Sequence, residues 1–456
     1  MATLGRKLMT LAVAAALGGM APGVYASGFA LIEQNASGLG NAYAGAAAAA
    51  EDASTIFFNP AGMTKLPGRQ AVGVLHAIVP SAKFTNTGST AAGGGFALGG
   101  NGGDAGDLAF VPNAYLSWQV NPQWFVGVGL SAPFGLATEY DADWVGRFHA
   151  IKSEIKTINI NPSAAYKVND SLSLGLGVNW QRAEAEITKA VNYTAVAAAT
   201  GNAALIAAVG AGNAGSNKIE ADDDAWGFNV GLMFSPSPNT NIGLSYRSEM
   251  KYTLSGSAAF FSRPAALNAA LGASAALAAQ IGDSPVTADL KLPASYSLAV
   301  KQQINPKWDV LFDLTRTQWS SIPSLDIIRN SGATLESVPF NWENTWRVGL
   351  GFNYRHDPSW IFRFGVAYDE SPVPDTFRIP RVPDEDRTWI AFGVQYTISK
   401  AGAIDFGYAH LFVREATLSM TGPPALTAAQ AAGRGNLVGT YDSQVNIFSM
   451  QYRHIF

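Results

Sequence analysis

From about Gln70 to its last residue the chain alternates between apolar positions and polar or glycine positions, and a period of two admits β-strands and little else. Trp342, Trp346, Val348, Leu350, Phe352 and Tyr354 share one face, against Glu343, Thr345, Arg347, Gly349, Gly351, Asn353 and Arg355 on the other. Leu172, Leu174, Leu176, Val178 and Trp180 alternate in the same way with Ser171, Ser173, Gly175, Gly177 and Asn179. Trp360, Phe362, Phe364, Val366 and Tyr368 alternate with Arg363, Gly365 and Asp369. A half-buried sheet in water would also alternate. Here the apolar face is aromatic at its ends and the opposite face is charged and glycine-rich, as expected of strands with lipid outside and a wet interior.

Turns support the same reading. Asn121-Pro-Gln-Trp124, Asn305-Pro-Lys-Trp308 and Asp357-Pro-Ser-Trp360 repeat one design, in which Pro fixes φ, Asn or Asp bonds back to its own backbone, and a Trp opens the next strand. Those tryptophans would form one interfacial girdle. Counting runs between turns predicts about fourteen strands, starting near Gln70, Leu108, Trp124, Thr157, Leu172, Trp226, Asn241, Ala288, Trp308, Trp342, Trp360, Thr388, Ala403 and Tyr441. The expected fold is therefore all-β, a fourteen-stranded antiparallel transmembrane barrel. Its last strand carries Phe448, Met450, Tyr452 and Phe456 at even spacing, interrupted by His454. That terminal aromatic is similar to the signal read by barrel assembly machinery, an expected partner alongside outer-membrane lipid and lipopolysaccharide. Among the long connections, Thr85 to Asp107 is Gly-rich, while Ala195 to Gly215 and Ala258 to Ile281 are Ala-rich. Leu267, Leu271 and Ile281 have near-helical spacing, and two greasy loops side by side would form an apolar patch of the kind that binds ligands.

The N-terminus gives the address. Arg6 and Lys7 precede an uncharged stretch from Leu8 to Met20, and Val24-Tyr25-Ala26 offers a signal-peptidase site, so residues 1–26 read as a secretory signal peptide. Thirty basic residues less those two leave 28 against 34 acidic ones, or −6, for a chain starting at Ser27. That balance argues against nucleic acid as a partner. With no cysteine, disulfides and thiol nucleophiles are excluded. Mean hydropathy barely above zero excludes a helical membrane bundle, yet 24 Phe, 15 Tyr and 11 Trp are many for a soluble domain. A barrel reconciles the two, because only alternate residues meet lipid.

Residues 27–68 do not alternate. Ser27-Gly-Phe-Ala-Leu31, Ala36-Ser-Gly-Leu-Gly-Asn-Ala-Tyr-Ala-Gly45, Glu51-Asp-Ala-Ser54 and Phe58-Asn-Pro-Ala-Gly62 are small and weakly charged, fit to occupy a lumen. They resemble the hatch of the FadL family of long-chain fatty acid transporters, with its Asn-Pro-Ala signature at Asn59, Pro60 and Ala61. Further matches are Gly135-Leu-Ala-Thr-Glu139, Tyr246-Arg-Ser-Glu249, Ser371-Pro-Val-Pro374 and Ile379-Pro followed by Pro383-Asp-Glu-Asp-Arg-Thr-Trp389. The resemblance runs through the whole mature chain. It implies a hatch at residues 27–68 plugging a barrel at residues 69–456, in the outer membrane of a Gram-negative bacterium, working as a monomer.

It also implies a route. A groove between two outer loops, matched by Leu267 and Leu271, would capture ligand. An apolar pocket at the mature N-terminus, matched by Phe29, would hold it, and a break in the third strand at Pro133, Phe134 and Gly135 would release it sideways. The residues agree with such a break, since Pro removes a ladder donor and Gly tolerates a bulge. Asn59, Pro60 and Ala61 would gate the hatch. For a carboxylate head the family's basic residue falls on Lys189, whereas a second lysine of the family falls on Val338. Fatty acids and aromatic or alkane hydrocarbons therefore both stay open as cargo. Arg347, Arg355 and Arg363 are further lumen cations, expected to pair with carboxylates such as Glu343 and Asp369. No cofactor or metal is implied. His76, His149, His356, His410 and His454 are scattered singly with no HExxH or GxSxG motif, so catalysis has no local signature. No phosphate loop supplies energy, so cargo would move down its gradient.

Overall fold

The computed structural model describes residues 28–456, and the expected signal peptide at residues 1–26 lies outside the described residues. Fourteen antiparallel strands close into a barrel: β1 (Arg69–Asn86), β2 (Ala109–Gln119), β3 (Trp124–Ser131, resumed as Gly135–Glu139), β4 (Lys152–Lys167), β5 (Leu172–Asn192), β6 (Ala214–Ser237), β7 (Thr240–Arg247, resumed as Met250–Phe261), β8 (Ser284–Leu292, resumed as Ser295–Asn305), β9 (Trp308–Thr317), β10 (Thr345–Arg355), β11 (Trp360–Asp369), β12 (Arg387–Thr397), β13 (Gly402–Val413, resumed as Ala416–Met420) and β14 (Leu437–Ile455). Each pairs with its sequence neighbours, and β14 closes on β1 from Gln70↔Ile455 to Asn86↔Gly439. A hairpin of Ser324–Arg329 and Thr334–Pro339 rises between β9 and β10 and pairs with β8.

The turns form as their residues dictate. The side chain of Asn121 accepts from the N–H groups of Gln123 and Trp124 at 2.9 and 2.8 Å, Asn305 from Lys307 and Trp308 at 2.9 and 3.1 Å, and Asp357 from Ser359 and Trp360 at 2.8 and 3.0 Å. The tryptophan after each turn meets a tyrosine across the ladder, Trp124 with Tyr166, Trp308 with Tyr354 and Trp360 with Tyr396, at 4.6–4.8 Å between ring centres. That belt marks one membrane interface. The paired Trp180 and Trp226 mark the other. Between Leu172 and Trp180 the outward residues are apolar, and at about 3.3 Å per residue and roughly 40° of tilt this stretch matches an apolar band about 25 Å tall. Above it the outer face turns charged, with Arg182 bonded to Asp222 at 2.8 Å and Asp224 at 3.4 Å.

Two expectations differ from the structure. β6 starts at Ala214 rather than near Trp226, because its first dozen residues stand above the membrane, where no apolar alternation is required. Trp342 does not join the lipid face. Asn341 takes a left-handed φ of +44°, the strand begins only at Thr345, and Trp342 turns inward to 3% exposure.

Residues 28–68 fold inside the wall as short helices (Ala36–Leu39, Ala46–Ala49, Thr55–Phe58) and a 3-10 turn (Pro60–Lys65). The glycine face of the barrel receives them. A Cβ on Gly365 would overlap the Asn41 backbone, on Gly231 the Asn59 side chain, and on Gly175 the backbone of Ala61. Glu51 of the hatch is held by Lys301 at 3.1 Å and Arg363 at 2.9 Å.

Candidate functional site

The third strand breaks where expected. The β2–β3 ladder ends at Ala114↔Leu130, so residues 109–113 of β2 pair only with β1. Backbone groups freed at depth in a membrane wall must find other partners. Here the hatch supplies them: Leu31 N–H donates to Pro133 O at 2.7 Å, Gly135 N–H donates to Phe29 O at 2.9 Å, and Ala30 faces Phe134 as an antiparallel bridge. Thr157 completes the repair, its hydroxyl donating to Phe134 O at 2.6 Å and accepting from Phe134 N–H at 3.0 Å. Residues 29–31 therefore bridge the break from the inside of the barrel.

Phe29 is at the centre of an aromatic cluster, 5.1 Å from Trp319, 5.6 Å from Trp342 and 6.0 Å from Phe134 between ring centres. Trp319 was not singled out in the sequence and Trp342 was assigned to the lipid face, since both lie in irregular backbone beside β9 and β10 where parity no longer predicts the side. Next to this cluster lies a cavity of about 150 Å³ between hatch and wall, lined by Leu31, Ile32, Phe57, Phe58, Pro133, Phe134 and Trp319, with Arg247, Arg347, Asp313 and Asp369 as its charged groups. Pro133 and Phe134 line this cavity directly, while Phe29 and Gly135 lie beside it, joined by the bond from Gly135 N–H to Phe29 O.

The Asn-Pro-Ala signature pins the hatch to the wall. Asn59 Nδ2 donates to Ala47 O at 2.8 Å and to Leu232 O of β6 at 3.0 Å, while its Oδ1 accepts from Ala61 N–H at 3.1 Å. Pro60 then opens the 3-10 turn.

Lys189, Leu267 and Leu271 lie elsewhere. Lys189 reaches Glu336 of the outer hairpin at 2.5 Å, and Arg434 of the last loop reaches the same carboxylate at 3.3 Å. Burial would raise the Glu336 carboxyl, but Lys189 and Arg434 outweigh it and hold it below the usual carboxylate range. The cation expected for a ligand head is already matched by a carboxylate of the chain. Leu267 is fully buried and Leu271 half-buried, where the helices Tyr193–Ala199, Ala203–Val209, Ala265–Leu271 and Ala275–Ile281 pack into a small apolar core of their own, separate from that of Phe29. The two Ala-rich loops thus pack against each other through this shared core. The lumen arginines pair, though not with Glu343 or Asp369: Arg347 meets Asp313 at 3.4 Å, Arg355 meets Asp309, and Arg363 meets Asp405 at 2.6 Å as well as Glu51.

Removing one member of a buried ion pair costs roughly 3–5 kcal/mol. Lys189→Met is therefore expected to loosen the outer hairpin and speed its cleavage by protease on intact cells. Adding Glu336→Gln to it should restore most of the protection. Equal cleavage of the single variant and the parent would show that the pair does not hold the mouth.

A family model described as "Outer membrane protein transport protein (OMPP1/FadL/TodX)" matches residues 19–456. The long-chain fatty acid transport protein of Escherichia coli (strain K12) is 30% identical over 415 residues, 88% of this chain and 91% of that protein. The 47 kDa outer membrane protein of Pasteurella multocida (strain Pm70) is 32% identical over 424 residues, 92% and 95% of the two chains. The crystal structure of a Pseudomonas aeruginosa FadL homologue has a TM-score of 0.85 at 27% identity, covering 94% of this chain and all of that one (100%). The P. putida toluene transporter TodX shares the fold, with a TM-score of 0.65 at 18% identity over 89% of this chain and 94% of its own.

Proposed function

The chain belongs to the OMPP1/FadL/TodX family of outer-membrane transport proteins, and on that footing we propose that it takes up long-chain fatty acids by passive, ligand-gated diffusion with a lateral exit. The observation that carries this reading is the break in β3 bridged from inside by residues 29–31, with Phe29 reaching from the same segment into the aromatic cluster beside the chamber. A long apolar tail entering the chamber competes with Phe29 for Trp319, Trp342 and Phe134. Displacing Phe29 pulls on the backbone that laces the break, which couples ligand arrival to opening of the wall. A plugged lumen rejects ions and small solutes, whereas an apolar chamber beside lipid favours molecules that gain by leaving water. Asn59 limits the movement to the front of the hatch by tying its rear to β6.

A second reading, uptake of aromatic or alkane hydrocarbons, is favoured by one observation: Lys189 is tied to Glu336 of the outer hairpin instead of standing open to a ligand head. The two separate on uptake of radiolabelled oleate and toluene by cells lacking other transporters for either. Oleate accumulation above the vector control is expected. Toluene uptake with oleate at the vector level would overturn the fatty acid reading.

A further inference from the structure

The chamber contains one arginine, Arg247, that no carboxylate contacts directly among the described residues. Arg347 has Asp313, and the neighbouring lumen arginines Arg355 and Arg363 also meet carboxylates. Arg247 has only neutral partners: Nη1 donates to Asn179 Oδ1 at 2.6 Å, Nη2 donates to Phe57 O at 2.9 Å, and the guanidinium lies 4.3 Å over the Phe57 ring. Among the described residues it forms no ion pair. It sits at the end of the first part of β7, paired with Asn229 on one side and Ser295 on the other, and its side chain lines the chamber.

Arg247 is half-buried, open only toward the cavity, and a cation so placed with neutral acceptors alone is under-compensated, since charges withdrawn from water normally have a counter-charge. Two of the five guanidinium N–H donors make the hydrogen bonds just described, and the group's other donors are available to an anion. Apolar surface of Leu31, Ile32, Phe57 and Phe134 lies around the same space. Asp313 and Asp369 also line it, and they repel an anion from their own side of the chamber. We propose that Arg247 is an inner head-group site, which receives the carboxylate of an apolar-tailed acid once the tail has entered the chamber. This rests on the fatty acid reading and adds to it a residue that distinguishes acids from neutral chains of equal length. With Lys189 committed to Glu336, selection for the carboxylate takes place inside the hatch chamber and not at the mouth.

The test compares oleate with oleyl alcohol, which carries the same tail without the charge, in cells expressing the full chain. Arg247→Gln keeps length and hydrogen bonding but removes the charge, and Arg247→Lys keeps the charge. Losing a charge-assisted bond predicts that Arg247→Gln lowers oleate uptake about tenfold or more, with oleyl alcohol unchanged and Arg247→Lys close to the parent. Undiminished oleate uptake in Arg247→Gln would overturn the proposal, and so would an equal fall in both ligands, which marks a purely structural strut. Failure of the underlying reading is visible beforehand, as an absence of oleate uptake in the unmodified protein.

Discussion

Ala30→Cys combined with Phe134→Cys is expected to stop oleate uptake when oxidised and to restore it on reduction. The two residues form a bridge flanked by the bonds Leu31 N–H to Pro133 O and Gly135 N–H to Phe29 O, which makes them a non-hydrogen-bonded antiparallel pair. Such pairs place Cα atoms about 4.5 Å apart, within the range that a disulfide spans. The chain has no cysteine of its own, so no competing pairing arises. The covalent link fixes residues 29–31 across the break without touching the outer surface or the rest of the hatch. If cargo leaves through this break, oxidised protein should transport at the vector level. The reduced protein is its own control for the loss of the Phe134 ring. Equal transport by the two redox forms would mean that cargo does not leave through this break.

Gly365→Val should have an effect of similar size in the opposite sense, opening the barrel instead of locking it. A Cβ there overlaps the backbone of Asn41, which cannot move aside as a flexible side chain could. Overpacking typically costs about 1–3 kcal/mol, so the ratio of molecules with a seated hatch to those with a displaced one is expected to fall by a factor between about 5 and about 150. The outward neighbours Phe364 and Val366 keep their lipid contacts, and assembly of the wall should be unaffected. Ion conductance in planar bilayers should therefore rise sharply over the parent. A variant that assembles normally and remains tight would show that the hatch does not depend on this glycine for its seat.

What could be foreseen and what could not divides along sequence distance. Asn121, Asn305 and Asp357 bind N–H groups two and three residues ahead, so their turns were legible from four-residue windows. The fourteen strands follow from alternation, a property of adjacent residues. Trp342 was misplaced because one left-handed residue, Asn341, cancels parity without leaving a mark in composition. Arg247 belonged to a recognised stretch, Tyr246-Arg-Ser-Glu249, yet its partner Phe57 lies 190 positions away, and Glu336 lies 147 from Lys189. Nothing local distinguishes a paired lysine from a free one, and pairing decides whether Lys189 can hold a ligand.

The strands differ greatly in length, from ten residues in β11 to 24 in β6. At about 3.3 Å per residue and roughly 40° of tilt, β6 climbs about 60 Å where β11 climbs about 25 Å. The rim of the barrel is therefore oblique, standing on one side like a chimney above the outer leaflet. The helices Tyr193–Ala199 and Ala203–Val209, which follow β5, are thereby carried about 35 Å further out than the rim at β11, and a molecule approaching from water meets them before it meets the membrane.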